Sequence, residues 1–299
     1  MHKKYWIAAI IIILIATIIK IATTKPTATF TDSTKIKIAA TFYPLAYIAE
    51  QVGGSYVEVE NITPPGAEPH DFEPTPKDIT TIYQADLFIV NGQGVDAWAE
   101  KIIPELIAKN SATVRMSDHI EKITATETDH EHEQEAHEET TEYDPHFWLN
   151  PNNMAAEADI IADRLIAIDS AHAKEYNQNR ELFKQKLAAL HTAYQTGLAT
   201  CASREIITTH NAFGYLAKRY NLITFYILGF SPEEEPSPKR IAEVAQIAKN
   251  KQVRYIFFEG TVSEKLSQTI AQEIGAQTLV LNPIESLSKE QTSNNEDYI

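Results

Sequence analysis

The chain has 299 residues, 43% of them hydrophobic, which is enough for more than one buried core and favours two domains. Its formal net charge of -15 argues against a nucleic-acid partner, because phosphate binding needs clustered Lys and Arg. A single cysteine, Cys201, excludes a disulfide framework, a thiolate zinc site and a Cys-x-x-Cys redox pair.

The N-terminus has the layout of an export signal: Lys3 and Lys4, an apolar run over residues 6–19, then Lys20 and a Thr-rich polar linker to residue 34. The run is short for a bilayer core, although a snorkelling Lys20 extends it, so a cleaved signal and a retained membrane anchor are both open. Either predicts a protein outside the cytoplasm, in the periplasm or at the cell surface. No cysteine stands at the end of the run or in the linker after it, so no lipid anchor is expected.

From residue 35 the pattern alternates. Residues 35–41 read as a strand, a helix opens at Pro44 and ends before Gly53-Gly54, and residues 56–62 form a second strand leading into a Pro-Pro-Gly loop. Thr75 caps a helix with Pro76 at its first position, residues 86–90 are a buried strand, a helix starts near Asp96, and residues 113–116 are a strand. Residues 152–168 and 171–196 are helical, the second long and free of internal Gly and Pro until its end, which suits a rigid connector. Strands then follow at 205–209, 222–227, 253–258 and 277–281, with helices at 212–219, 238–250 and 263–274 between them. This alternation predicts an α/β fold of two lobes, each a parallel sheet covered by helices, joined by one long helix. The segments Glu73-Pro74-Thr75-Pro76-Lys77 and Glu235-Pro236-Ser237-Pro238-Lys239 open helices in matching contexts, as a repeated lobe would. The expected division is a signal and linker over 1–34, an N-terminal lobe over 35–151 with an acidic loop at 119–142, a helical connector over 152–200, and a C-terminal lobe over 201–299.

Three histidines stand in constrained places. His146 lies between Pro145 and the apolar Phe147-Trp148-Leu149, His70 follows a Pro-rich loop, and His210 ends a strand. Parallel sheets put ligands at the carboxyl ends of their strands, so all three are expected to converge on one metal ion. Three imidazoles suit Zn²⁺, whereas Mn²⁺ sites lean on carboxylates. Because imidazole must be neutral to bind, affinity is expected to fall below about pH 6.5. Residues 121–142 carry nine acidic side chains against the single Lys122, together with His130, His132 and His137; this solvated run is a candidate for accessory, weak zinc sites.

The segments Pro-Gly-Ala-Glu-Pro-His-Asp-Phe-Glu-Pro-Thr-Pro, Asp-Pro-His-Phe-Trp-Leu-Asn-Pro and Thr-Thr-His-Asn-Ala-Phe-Gly-Tyr-Leu resemble, in order, the ligand segments of the metal-binding solute-binding proteins of ABC transporters. The likeness is to the zinc-type members of the cluster that includes manganese-binding lipoproteins and adhesins, and it runs from about residue 35 to residue 283. It implies a monomeric, non-enzymatic carrier that binds Zn²⁺ as transported ligand through His70, His146 and His210, in the cleft between the lobes, and delivers it to a membrane permease. The alternatives are a binder of manganese or another divalent metal, and a surface adhesin. A zinc-dependent hydrolase is disfavoured, since no His-Glu-x-x-His helix or equivalent cassette is present.

The chain departs from that pattern where Asn282 stands in place of the family's usual aspartate. An amide is a poorer zinc ligand, which makes Glu259 the first candidate for fourth ligand, with Asn282 and Glu68 behind it. Relatives also continue with a further helix, so the resemblance leaves two expectations for the end at Ile299: a truncated fragment, or a C-terminal lobe without the helix that covers one face.

Overall fold

A computed structural model describes residues 35–124, 143–232, 236–259 and 264–299. The described residues form one compact unit. Among the described residues no helix is long and apolar enough to cross a membrane. The apolar run at 6–19 and His130, His132 and His137 lie outside them.

The first lobe is built on β1 (Ile36–Ala40), β2 (Val57–Asn61), β3 (Leu87–Val90) and β4 (Ala112–Arg115), all parallel, in the order β2-β1-β3-β4. Helix α1 (Tyr43–Gly53) connects β1 to β2, and α2 (Pro76–Gln84) leads into β3. Thr75 caps α2 in a reciprocal box with Asp78, satisfying two N–H groups the first turn leaves free. The single helix expected from residue 96 is instead two short ones, α3 (Ala97–Glu100) and α4 (Ile103–Ala108). Pro104 has no N–H to continue a helix but fits the first turn of a new one.

Helices α5 (Pro151–Ile168) and α6 (Ala173–Leu198) form an antiparallel pair between the lobes, pinned by Lys184 on Asp159 at 2.7 Å and Arg180 near Asp163 at 4.0 Å. At 26 residues, α6 spans about 39 Å, while burying only Tyr176, Phe183 and Leu187. It is a strut with a narrow apolar stripe.

The second lobe repeats the first. Strands β5 (Glu205–Thr208), β6 (Ile223–Tyr226), β7 (Tyr255–Phe258) and β8 (Gln277–Val280) are parallel in the order β6-β5-β7-β8, with α7 (Gly214–Tyr220), α8 (Pro238–Asn250) and α9 (Glu264–Ile274) between them. Ser237 caps α8 through Arg240 N–H, as Thr75 caps α2, so the echoed prolines mark equivalent points in two sheets of the same topology. A short helix unforeseen above, α10 (Lys289–Ser293), starts at a Ser288/Gln291 capping box.

One apolar core joins the first sheet to α1, α5, α6 and α7, a second fills the far face of that sheet, and a third lies inside the second lobe. The C-terminal segment returns to the first core: the Tyr298 ring packs on Tyr47 at 5.9 Å, and its hydroxyl donates to the Trp148 carbonyl. Trp148 Nε1 donates to Pro283 O at 2.8 Å, so the residues after β8 are tied to the His146 turn.

Candidate metal centre

Each candidate side chain leaves a strand end or a fixed turn. His70 sits in the loop after β2, and His210 two residues past β5. His146 precedes the 3-10 turn Phe147–Leu149 that runs into α5, and Asn150 caps that helix through Asn152 N–H. Burial of Phe147 and Trp148, both 0% exposed, anchors the turn. Its other side is held by Asn91, whose amide donates to Pro145 O at 3.1 Å. Asn91 and Gly92 in turn donate their backbone N–H groups to the buried Asp96 carboxylate at 2.7 and 2.9 Å. The loop beyond β3 therefore supports the residue that aims His146.

The structure brings His70, His146 and His210 together with a fourth group that sequence reasoning missed, Glu285. One donor atom from each lies within 4.8 Å of all the others. His146 Nε2 is 3.3 Å from His210 Nε2 and 3.2 Å from Glu285 Oε1, which is also 3.6 Å from His210 Nε2 and 3.8 Å from His70 Nε2. A tetrahedron with metal–ligand bonds of ~2.0–2.1 Å has edges of roughly 3.3 Å, so the donors stand close to the separations zinc requires. Both His70 Nε2 and Glu285 Oε1 are buried without a hydrogen-bond partner. Unpaired polar atoms facing one another are costly in a folded protein, and a cation between them removes the cost.

Two of the imidazoles are oriented from behind by carboxylates. Asp144 Oδ1 accepts from both the backbone N–H and Nδ1 of His146, each at 2.8 Å. Glu259 Oε1 accepts from His210 Nδ1 and from the Thr209 hydroxyl. A proton held on Nδ1 makes Nε2 the nitrogen that faces the cluster and offers its lone pair to a metal once any proton on it has left. This corrects the sequence expectation for Glu259, which follows β7 and reaches the outer nitrogen of His210 instead of the converging atoms. Asn282 is also displaced as fourth ligand: its side-chain oxygen accepts from Ile284 N at 2.7 Å and shapes the turn that presents Glu285. An acidic residue between the apolar Ile284 and Leu287, just past a strand end, was the signal for Glu285, and the carboxylate two residues before His146 was the signal for Asp144.

The electrostatics follow from burial. Desolvation pushes the Glu285 carboxyl up, but three imidazoles outweigh it and hold the group well below the ordinary carboxylate range. Burial alone would depress both buried histidines; instead Asp144 and Glu285 raise His146, and Glu259 with Glu285 raises His210 to about 10. Glu68, desolvated and facing Glu285, is pushed up to about 9, which makes it a neutral acid beside the cluster at neutral pH.

Two helix-braced α/β lobes with three imidazoles and a carboxylate buried together at the strand ends define the class of metal-binding solute-binding proteins. Within it, the chain belongs to the family described as zinc-uptake complex component A, periplasmic (ZnuA), whose pattern matches residues 38–299. It is 35% identical over 268 residues to the zinc-binding lipoprotein AdcA of Streptococcus pneumoniae serotype 4, covering 89% of this chain and 53% of that protein. Thus the chain spans about half the length of that relative. It is also 35% identical over 266 residues to the high-affinity zinc uptake system protein ZnuA of Bacillus subtilis, with 89% and 83% covered. The crystal structure of the Zn(II)-bound ZnuA-like domain of Streptococcus pneumoniae AdcA superposes with a TM-score of 0.74 at 33% identity, covering 88% of this chain and 93% of that one.

Proposed function

We propose that this chain captures Zn²⁺ outside the cytoplasm through His70, His146, His210 and Glu285 and delivers it to the permease of an ABC transporter, with zinc as the transported substrate. The observation that carries the reading is the set of three imidazole nitrogens and one carboxylate oxygen whose donor atoms all lie within 4.8 Å of one another. Three nitrogen donors and one carboxylate favour zinc over manganese, which prefers more oxygen. The relatives, one named for zinc binding and one for zinc uptake, support the same choice of metal. In this reading the chain acts as a monomer and reaches its compartment through the N-terminal signal or anchor, and the acidic run with His130, His132 and His137 adds weaker zinc sites that raise the local metal concentration.

The test is metal analysis of protein purified without added metal, followed by zinc and manganese titrations. One tightly held zinc per chain is expected, with weaker manganese binding. The His146→Ala, His210→Ala double variant should lose that zinc, and a variant that keeps it would refute the assignment. Deleting residues 127–142 should remove only weaker binding and leave the tight site intact.

A further inference from the structure

His70 is held differently from its two partners. Its Nε2 is buried without a hydrogen-bond partner, no carboxylate among the described residues is seen behind it as Asp144 and Glu259 are behind the other two, and its backbone N–H donates weakly to Glu68 at 3.4 Å. Its aim therefore depends on the loop that carries it. In residues 64–70 three positions are prolines, which restrict the backbone and donate no N–H. Gly66 takes φ +83, a left-handed conformation that favours glycine, although nothing lies within 4 Å of where a Cβ would sit. That turn aims the Gly66 N–H across to the second lobe, where it donates to Ser286 Oγ at 2.9 Å over a sequence separation of 220 residues. Ser286 is 5% exposed and directly follows Glu285. Its own hydroxyl proton points to Leu287 O at 3.4 Å, leaving a lone pair for Gly66.

We infer that Ser286 is a positioning residue that latches the His70 loop to the Glu285 segment, so that a donor from each lobe is held at one separation. The Asp144 and Glu259 carboxylates orient His146 and His210 within their own surroundings, whereas this bond runs between the loop of one donor and the chain neighbour of another. Breaking it frees His70 to leave the cluster while the other three donors stay in place, and its effect belongs to metal retention more than to folding. The inference rests on the reading that these four side chains hold zinc.

The test compares wild type, Ser286→Ala and Ser286→Thr, each loaded with one Zn²⁺, by stopped-flow transfer of the metal to a chromophoric chelator. Loss of this one part-buried hydrogen bond should speed release from Ser286→Ala about fivefold to tenfold, with apo thermal unfolding close to wild type, and Ser286→Thr, which keeps the hydroxyl, should restore slow release. Release from Ser286→Ala at the wild-type rate would overturn the latch. Amide exchange by NMR gives a second reading on the unaltered protein: Gly66 N–H in the zinc-loaded state should exchange far more slowly than an open loop amide. Exchange of Gly66 at the open-loop rate would also overturn it. A wild-type chain that takes up no zinc would sink the metal assignment itself, and Gly66 protection in that chain would still report whether the bond exists.

Discussion

Loading zinc at neutral pH should expel at least one proton, and the responsible group is His210. In the metal-free protein Glu259 and Glu285 raise its imidazole to about 10 against the opposing effect of burial, so at pH 7 the ring is protonated on both nitrogens. Zinc needs the Nε2 lone pair and must displace that proton. Three pH units separate pH 7 from the group's pKa, which at ~1.36 kcal/mol per unit costs about 4 kcal/mol, or roughly a thousandfold in apparent affinity. The sign is fixed by the direction of the shift: affinity rises with pH about tenfold per unit until pH passes the His210 pKa, well above the 6.5 of a free imidazole. Glu285 contributes no proton, since the histidines already hold it ionised. His146, also raised, can only add to the release. Calorimetric zinc titrations at pH 7.5 in buffers of different ionisation enthalpy measure the number directly. One or more protons per zinc is expected, decreasing in Glu259→Gln, where the paired negative charge is gone. Zero net proton release with an affinity flat from pH 7 to 9 would refute this account of the site's electrostatics.

Replacing Glu285 with Ala should weaken zinc binding more than Glu259→Gln does in a chelator competition assay; loss of the outer partner should cost about 10-fold to 100-fold. Asn282→Asp should leave zinc affinity near wild type, because that side chain serves the turn at Ile284 N; a clear gain would bring it back to the metal. Glu157, on the buried face of α5 with neither oxygen hydrogen-bonded, is pushed up to about 8 by desolvation. With its folded pKa above the ordinary 4.5, the stabilising difference is full below that value and is lost as pH rises toward 8. The loss is about 1.4 kcal/mol per unit, or roughly 3 kcal/mol by pH 7. Urea unfolding of the metal-free protein should therefore show Glu157→Gln gaining on wild type as pH rises from 5 to 8, and parallel pH profiles would refute it.

The strand and helix alternation, the two lobes and the three histidine segments were legible in the sequence because each is encoded locally. Periodicity marks the elements, and prolines beside His70 and His146 announce fixed turns whatever the rest of the chain does. The helix break before Ile103 was equally local, written in Pro104. Tertiary structure alone decided the roles of the carboxylates. Glu259, Glu285, Asp144 and Glu68 are the same chemistry in a sequence; Asp144 meets its imidazole from two residues away and Glu259 from 49, whereas Glu285 meets His146 only because loops of the two lobes face one another. The same packing desolvates those groups and sets their protonation, moving His210 from the ordinary imidazole range to about 10. Sequence could single out three histidines as candidates; only the approach of the second sheet's loops to the first could say which carboxylate lies beside them, because charge and coordination act through distance in space and not along the chain.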